Sequence, residues 1–190
     1  IIHEILQDLI YYQKSGGGIT LSGGEPLQQK DFALDILQKC REHRIHTAVE
    51  TNLLTDINTL EAFLPWVDLW MCDFKMADDT LHRKWTGHSN VPIIKNLEFL
   101  AKQAVPMTIR TPIIPNVNDS EEAIESICRF IRQLPNQPAY ELLGFHSLGF
   151  VKFENLGMKN PLSNSAFLKK GQLQKLNEIL IRYNLNNNKK

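Results

Sequence analysis

Apolar positions recur along this chain in two alternating rhythms, and the alternation predicts the fold. Ile2, Ile5, Leu6, Leu9 and Ile10 fall at helical spacing and stop at Ser15-Gly16-Gly17-Gly18, where the glycine run ends a helix because it surrenders the most backbone freedom on folding. Ile19-Thr20-Leu21-Ser22 then reads as a short buried strand. It is followed by the turn residues Gly23-Gly24-Glu25-Pro26 and by a helix from about Asp31 with Ala33, Ile36, Leu37 and Cys40 on its inner face.

This strand, loop and helix unit repeats. His46-Thr47-Ala48-Val49 is a strand and Ile57 to Trp66 a helix; Leu69-Trp70-Met71-Cys72 is the next strand, followed by a helix with Ile93, Leu97, Leu100, Ala101 and Ala104 on one stripe. Met107-Thr108-Ile109 begins a fourth strand. Asp119-Ser120-Glu121-Glu122 resembles a capping box with Asp119 in the cap position, and Ala123, Ile124, Ile127, Cys128, Ile131 and Leu134 line the helix behind it. Tyr140 to Phe145 is a fifth strand. A last helix from about Ser165 carries Leu173, Leu176, Ile179 and Leu180, and residues 186–190 form a polar tail too hydrophilic to pack. Residues 147–164 carry no period, but their Phe150, Phe153 and Leu156 point to a lid that packs on something.

Strands alternating with helices call for a parallel α/β sheet, because each parallel strand needs a crossover and the crossover helix covers the sheet. Five strands or more with outer helices fit either a doubly wound sheet or a partial parallel β/α barrel, and period does not choose between them. Residues 1–185 read as one domain. At 190 residues the chain is short of the roughly 250 of a complete eight-stranded barrel. Its first residue is Ile rather than Met and already sits on a helical pattern, so the expectation is a chain that begins inside a larger protein and is truncated at its N-terminus.

Basic and acidic side chains number 21 each. Without a net field nothing gathers nucleic acid or an anionic membrane, and no apolar run approaches the roughly 18 residues of a membrane span, so the expected setting is the cytoplasm. Cys40, Cys72 and Cys128 match no metal-ligand spacing and read as free thiols.

The chemistry is expected at the strand exits, since in both architectures the ligand lies beyond the carboxyl ends of the strands. Those positions hold Glu25, Glu50-Thr51-Asn52, Asp73 with Lys75, Arg110 and His146. Carboxylates and cations together suit a zwitterion, each of whose charges finds an opposite partner, better than a bare phosphate. The glycines between 16 and 24 lead into neither Gly-Lys-Ser/Thr nor Gly-x-Gly-x-x-Gly, which argues against a phosphate loop.

Five segments carry a resemblance: Ser15-Gly-Gly-Gly-Ile-Thr-Leu-Ser-Gly-Gly-Glu-Pro-Leu27, Glu50-Thr51-Asn52, Met71-Cys72-Asp73-Phe74-Lys75, Trp85-Thr86-Gly87, and the stretch from His146 to Gly157. In order and spacing they resemble the pyruvate formate-lyase activating enzyme and its relatives, the radical S-adenosylmethionine (SAM) activating enzymes of glycyl radical enzymes. The resemblance implies a partial barrel of the radical SAM type. It implies SAM held by Gly23, Gly24 and Glu25 at its amino group, by Asp73, Lys75 and His146 around the methionine end and sulfonium, and by Arg110 at its carboxylate, with Glu50 also among the cofactor-binding residues. Positions matching Glu50, Thr51, the Met71 carbonyl and Asp73 hold a monovalent cation beside SAM in such enzymes.

The activity implied is reductive cleavage of SAM at a [4Fe-4S] cluster to a 5'-deoxyadenosyl radical, which removes a Cα hydrogen from a glycine of a pyruvate formate-lyase-type partner. An electron donor such as flavodoxin or ferredoxin would feed the cluster, and the loop from Ser147 to Pro161 would cover the opening for the partner's glycine. Two departures stand out. The family's Cys-x-x-x-Cys-x-x-Cys cluster motif is absent, so this chain alone is expected not to bind the cluster, and Glu50-Thr51-Asn52-Leu53 stands where relatives usually show Asp-Thr-Asn-Gly. A small-molecule radical SAM enzyme, such as a deazaguanine-forming synthase, and a non-catalytic SAM- or partner-binding module are the alternatives.

Simpler roles compete for some of these residues. Asp73 and Lys75 also fit a structural ion pair at a sheet end, and Arg110 in Arg110-Thr111-Pro112 also fits the end of a strand. His43 and His46 are spaced like a metal pair but lack a third ligand, so they and His3, His82 and His88 read as surface or capping residues. Trp66, Trp70 and Trp85 read as packing anchors.

Overall fold

A computed structural model describes residues 1–145, 150–160, 162 and 167–185. Strands β1 (Gly18–Leu21), β2 (His46–Thr51), β3 (Leu69–Asp73), β4 (Met107–Ile113) and β5 (Ala139–Gly144) form one sheet. Their order across the sheet is their order in sequence, and every pairing is parallel. Around them lie α1 (Ile2–Gln7), α2 (Leu9–Ser15), α3 (Lys30–Glu42), α4 (Ile57–Phe63), α5 (Asp79–Thr86), α6 (Val91–Lys102), α7 (Glu121–Gln133), α8 (Phe150–Asn155) and α9 (Gln172–Arg182).

That order decides the architecture. A doubly wound sheet reverses its strand order at a switch point, whereas right-handed crossovers stepping always to the next neighbour place every helix on one face. Burial agrees with the second case. In β3, Trp70 and Cys72 are buried while Leu69, Met71 and Asp73 are half-buried. In β4, Met107, Ile109, Thr111 and Ile113 are buried and Thr108, Arg110 and Pro112 are half-buried. One face of the sheet packs on helices in a main apolar core that includes Leu37, Leu97, Leu100, Ile124 and Ile127, with a smaller cluster of Ile36, Cys40 and Ile45 against α1 and α2. The other is the concave face of a partial β/α barrel.

The apolar stripes of α3 and α7 bury the expected residues: Ala33, Ile36, Leu37 and Cys40, then Ile124, Ile127, Cys128 and Ile131. Other expectations shift. The first helix is two, broken at Asp8, with Tyr12 rather than the exposed Ile10 continuing the packed stripe. Ala104 lies past the end of α6 with φ +54° and is exposed. The cap of α7 is Ser120, whose hydroxyl accepts the Ala123 amide, while Asp119 binds the Asn116 amide and the Gln172 side chain instead. The last helix starts at Gln172 after Gly171 in the left-handed region, and α8 lies within the stretch read as aperiodic.

Helix α5, like α8, is one that periodicity missed. Its buried residue is His82, not an apolar side chain, and the ring Nδ1 lies 2.7 Å from the His88 carbonyl. His82 is thus a buried residue rather than the surface or capping residue expected. Trp70 is fully buried in the core, as a packing anchor should be. No helix among the described residues is long and apolar enough to cross a membrane.

Candidate functional site

The site is built where β1 to β4 end on the concave face. The turn after β1 opens with Gly23 at φ +119°, a backbone that only glycine adopts without strain. Gly18, one strand length earlier, has no room for a Cβ, which would fall on the His46 carbonyl of β2. The turn delivers Glu25, and the Glu25 carboxylate is already engaged. Its Oε1 accepts from the Thr51 hydroxyl at 2.7 Å and from the Leu27 amide at 3.3 Å, and its Oε2 accepts from the Asn52 amide at 2.8 Å. Glu25 therefore staples the glycine turn to the end of β2, and one of its roughly four acceptor positions is left over.

Strand register arranges the remaining charges. Glu50 lies opposite Met71, and Asp73 lies opposite Arg110. Arg110 reaches back across β3: its Nη2 donates to Glu50 Oε1 at 2.6 Å, its Nη1 rests 3.5 Å from the Met71 sulfur, and its Nε lies 4.0 Å from Asp73 Oδ1. Lys75 Nζ holds the other Asp73 oxygen at 3.1 Å, and Ser22 donates to Glu50 Oε2 at 3.0 Å. Ser22, Glu50, Arg110, Asp73 and Lys75 thus form one connected line across β1 to β4. The arginine is its most covered member, with 16% of its side chain exposed, and its buried Nε has no hydrogen-bond partner among the described residues.

The structure therefore brings together Gly23, Gly24, Glu25, Glu50, Thr51, Met71, Asp73, Lys75 and Arg110. Arg110 is not a strand-exit residue, since β4 runs on to Ile113 and the guanidinium enters the site by its length. His146 and the side chain of Phe153 lie outside the described residues, so their part in the site and in the lid is not placed.

Three supporting residues were not singled out by the sequence. Ser22 holds Glu50. Asn96 sits buried on the apolar stripe of α6 and donates to the Leu53 and Thr55 carbonyls at 2.9 and 2.8 Å. Asn118, also buried, donates to the Lys75 and Pro112 carbonyls. A polar residue at a core-facing helical position, as Asn96 is between Ile93 and Leu97, was the available signal. These contacts also explain Leu53, which occupies the left-handed region at φ +57° in place of the glycine usual in the motif. Its side chain is fully buried and its carbonyl is gripped by Asn96, so packing offsets the backbone cost.

The cysteines do not fit an iron-sulfur cluster. Cys40, Cys72 and Cys128 are buried on α3, β3 and α7, and clusters need neighbouring thiolates. Burial raises all three thiols: Cys128 to about 12, Cys40 above its usual range, and Cys72 well above it, with the Asp73 and Glu25 carboxylates adding to the effect. They are core residues.

Comparison with known proteins agrees with this geometry. The family model of the radical SAM superfamily matches residues 1–130. The isethionate sulfite-lyase activating enzyme of Desulfovibrio desulfuricans is 39% identical over 89% of this chain and 54% of its own length. The (2S)-3-sulfopropanediol dehydratase activating enzyme of Klebsiella oxytoca is 39% identical over 86% of this chain and 52% of its own. The chain spans about half the length of the curated relatives it matches. A crystal structure of a domain of pyruvate-formate lyase-activating enzyme from Bacteroides vulgatus superposes with a TM-score of 0.75 at 31% identity, covering 90% of this chain and 96% of that domain. The partial barrel is therefore of the radical SAM type, SAM and iron-sulfur chemistry follow from the family, and the chain belongs to the radical SAM superfamily, with glycyl radical enzyme activating enzymes as its homologues.

Proposed function

We propose that this chain is the SAM-binding barrel segment of a glycyl radical enzyme activating enzyme. The observation that carries the reading is the connected line Glu50–Arg110–Asp73–Lys75, joined at its β1 end to a Gly-Gly-Glu turn. It offers charges of both signs on an open concave face, which suits a ligand bearing an ammonium, a carboxylate and a sulfonium. Gly23, Gly24 and the last acceptor position of Glu25 would hold the ammonium. The Arg110 guanidinium would face the carboxylate, and Asp73, Lys75 and His146 would surround the methionine end and the sulfonium.

SAM, when bound, supplies the radical chemistry. The residues of this chain hold it in one orientation, balance its charges and keep water off one wall of the site. No step is derived through a cluster, for which this chain has no ligands. In the whole protein the activity would be removal of a Cα hydrogen from a glycine of a pyruvate formate-lyase-type enzyme, with flavodoxin or ferredoxin as the electron donor. Relatives named for isethionate sulfite-lyase and (2S)-3-sulfopropanediol dehydratase share 39% identity with this chain, against 31% for the pyruvate-formate lyase-activating domain. That difference favours, among glycyl radical enzymes of that type, a partner resembling the former group.

Calorimetric titration with SAM tests the reading. Binding is expected, and Asp73→Ala is expected to weaken it about ten-fold or more, a loss of about 1.4 kcal/mol. Absence of heat at roughly millimolar SAM, where binding energy has fallen to about 4 kcal/mol, would refute it. For the whole protein, formation of a glycyl radical signal in the partner on addition of SAM and reductant is the corresponding measurement.

A further inference from the structure

The resemblance places a monovalent cation among Glu50, Thr51, the Met71 carbonyl and Asp73, and the side chains at those positions do not fit one. Glu50 spends one oxygen on Arg110 at 2.6 Å and the other on Ser22 at 3.0 Å. The Thr51 hydroxyl donates to Glu25 at 2.7 Å and accepts the Leu53 amide at 3.0 Å. Asp73 holds Lys75 at 3.1 Å through one oxygen, and its other oxygen faces the Arg110 guanidinium at 4.0 Å. The space between the two carboxylates is already crossed by a positive charge.

We propose that the guanidinium of Arg110 is the built-in cation of this site and takes the place of the metal ion, so that SAM binding does not depend on Na⁺ or K⁺. The inference rests on the SAM-binding reading above. Its first support is reach. Arg110 and Glu50 stand on strands two steps apart, separated by roughly 9–10 Å across β3, and only two long side chains span that gap over the Met71 sulfur. An aspartate at position 50 would fall one methylene short. The glutamate that departs from the usual Asp-Thr-Asn-Gly is thus matched to the arginine that meets it.

Charge balance is the second support. Glu25, Glu50 and Asp73 against Lys75 and Arg110 leave one negative charge. SAM, with a sulfonium, an ammonium and a carboxylate, carries one net positive charge, so the complement is reached without a metal ion. An added cation beside the guanidinium would be repelled and would leave the ligand's charge unbalanced. The third support is donor count. Of five N–H groups on Arg110, one makes a strong bond to Glu50, one rests against the Met71 sulfur, and the buried Nε has no partner among the described residues. A covered cation with donors to spare suits a carboxylate arriving with the ligand.

SAM titrations in KCl, in NaCl and in N-methylglucamine chloride at equal ionic strength test the proposal. The expected affinities agree within about two-fold in the three salts, where a site requiring the metal would lose about ten-fold or more in N-methylglucamine. Arg110→Gln is expected to weaken binding and to make what remains respond to Na⁺ or K⁺. A wild-type affinity that follows Na⁺ or K⁺ overturns the proposal, and so does an Arg110→Gln protein as indifferent to salt as wild type. No binding in any salt refutes the SAM reading itself.

Thallium(I) NMR of the wild-type protein reads the site without any variant. No site-specific broadening is expected. Broadening that Asp73→Asn removes overturns the proposal.

Discussion

Replacing Glu25 by alanine should cost stability before it costs anything else. The carboxylate accepts the Thr51 hydroxyl at 2.7 Å, the Asn52 amide at 2.8 Å and the Leu27 amide at 3.3 Å. A bond to a charged acceptor contributes about 1.5–3 kcal/mol. The two short bonds therefore set an upper bound of about 3–6 kcal/mol, and the long third bond adds little. The turn is only part-buried, so water recovers about half, leaving a loss of about 1.5–3 kcal/mol. In a chain of this size each kcal/mol moves the unfolding midpoint by about 2–4 °C, so Glu25→Ala should unfold about 5–10 °C lower in a far-ultraviolet circular dichroism melt.

Glu25→Gln separates the staple from the charge. Its single amide oxygen serves either the Thr51 and Leu27 side or the Asn52 side but not both, so the expected loss is about 1 kcal/mol. An alanine variant within about 0.5 kcal/mol of wild type, the scale of an ordinary surface substitution, would refute the reasoning. A glutamine variant that melts near wild type yet loses SAM would instead locate the main role of Glu25 in a direct contact with the ligand.

Two other substitutions probe the same scaffold. Leu53→Gly relieves a left-handed residue, worth about 1–2 kcal/mol, but empties a fully buried position at a cost of about 3–5 kcal/mol. Urea denaturation should therefore show a net loss of about 2–3 kcal/mol, and a gain in stability would contradict the packing account of this position. The Asp79 carboxyl is lowered from 3.8 to about 2, first by the Ser89 hydroxyl, then by Arg83 and by the Asn90 amide. A depressed carboxyl stabilises the fold above its unfolded value and loses that contribution as pH falls toward 2, so wild type should gain stability over Asp79→Asn between pH 2 and 4. Parallel acid titrations of the two proteins would contradict this.

Much of the fold is legible in the chain because the buried face of each element is written in apolar residues. Ala33, Ile36, Leu37 and Cys40 announce α3, and Ile124, Ile127, Cys128 and Ile131 announce α7. Helix α5 is silent because its inward residue is His82, satisfied by a backbone carbonyl and a threonine hydroxyl rather than by apolar contact. The choice between a doubly wound sheet and a barrel is silent for a different reason. Strand order is a property of how crossovers step, and the same alternating period serves both architectures.

At the site, residue type and strand position together indicated where charges would gather, but not which charge each would take as partner. Arg110 reads as a strand-exit residue, yet its backbone lies mid-strand and its head group crosses β3 to Glu50. Glu25 reads as a ligand carboxylate, yet three of its acceptor positions are used inside the protein. Both follow from one physical rule. Part-buried charges are costly unless paired, so a site presenting five of them on a half-open face must first satisfy them against one another. A zwitterion of the proposed kind entering such a site would exchange partners rather than fill empty ones, and Arg110, whose Nε has no hydrogen-bond partner among the described residues, is the member least tied to its present contacts.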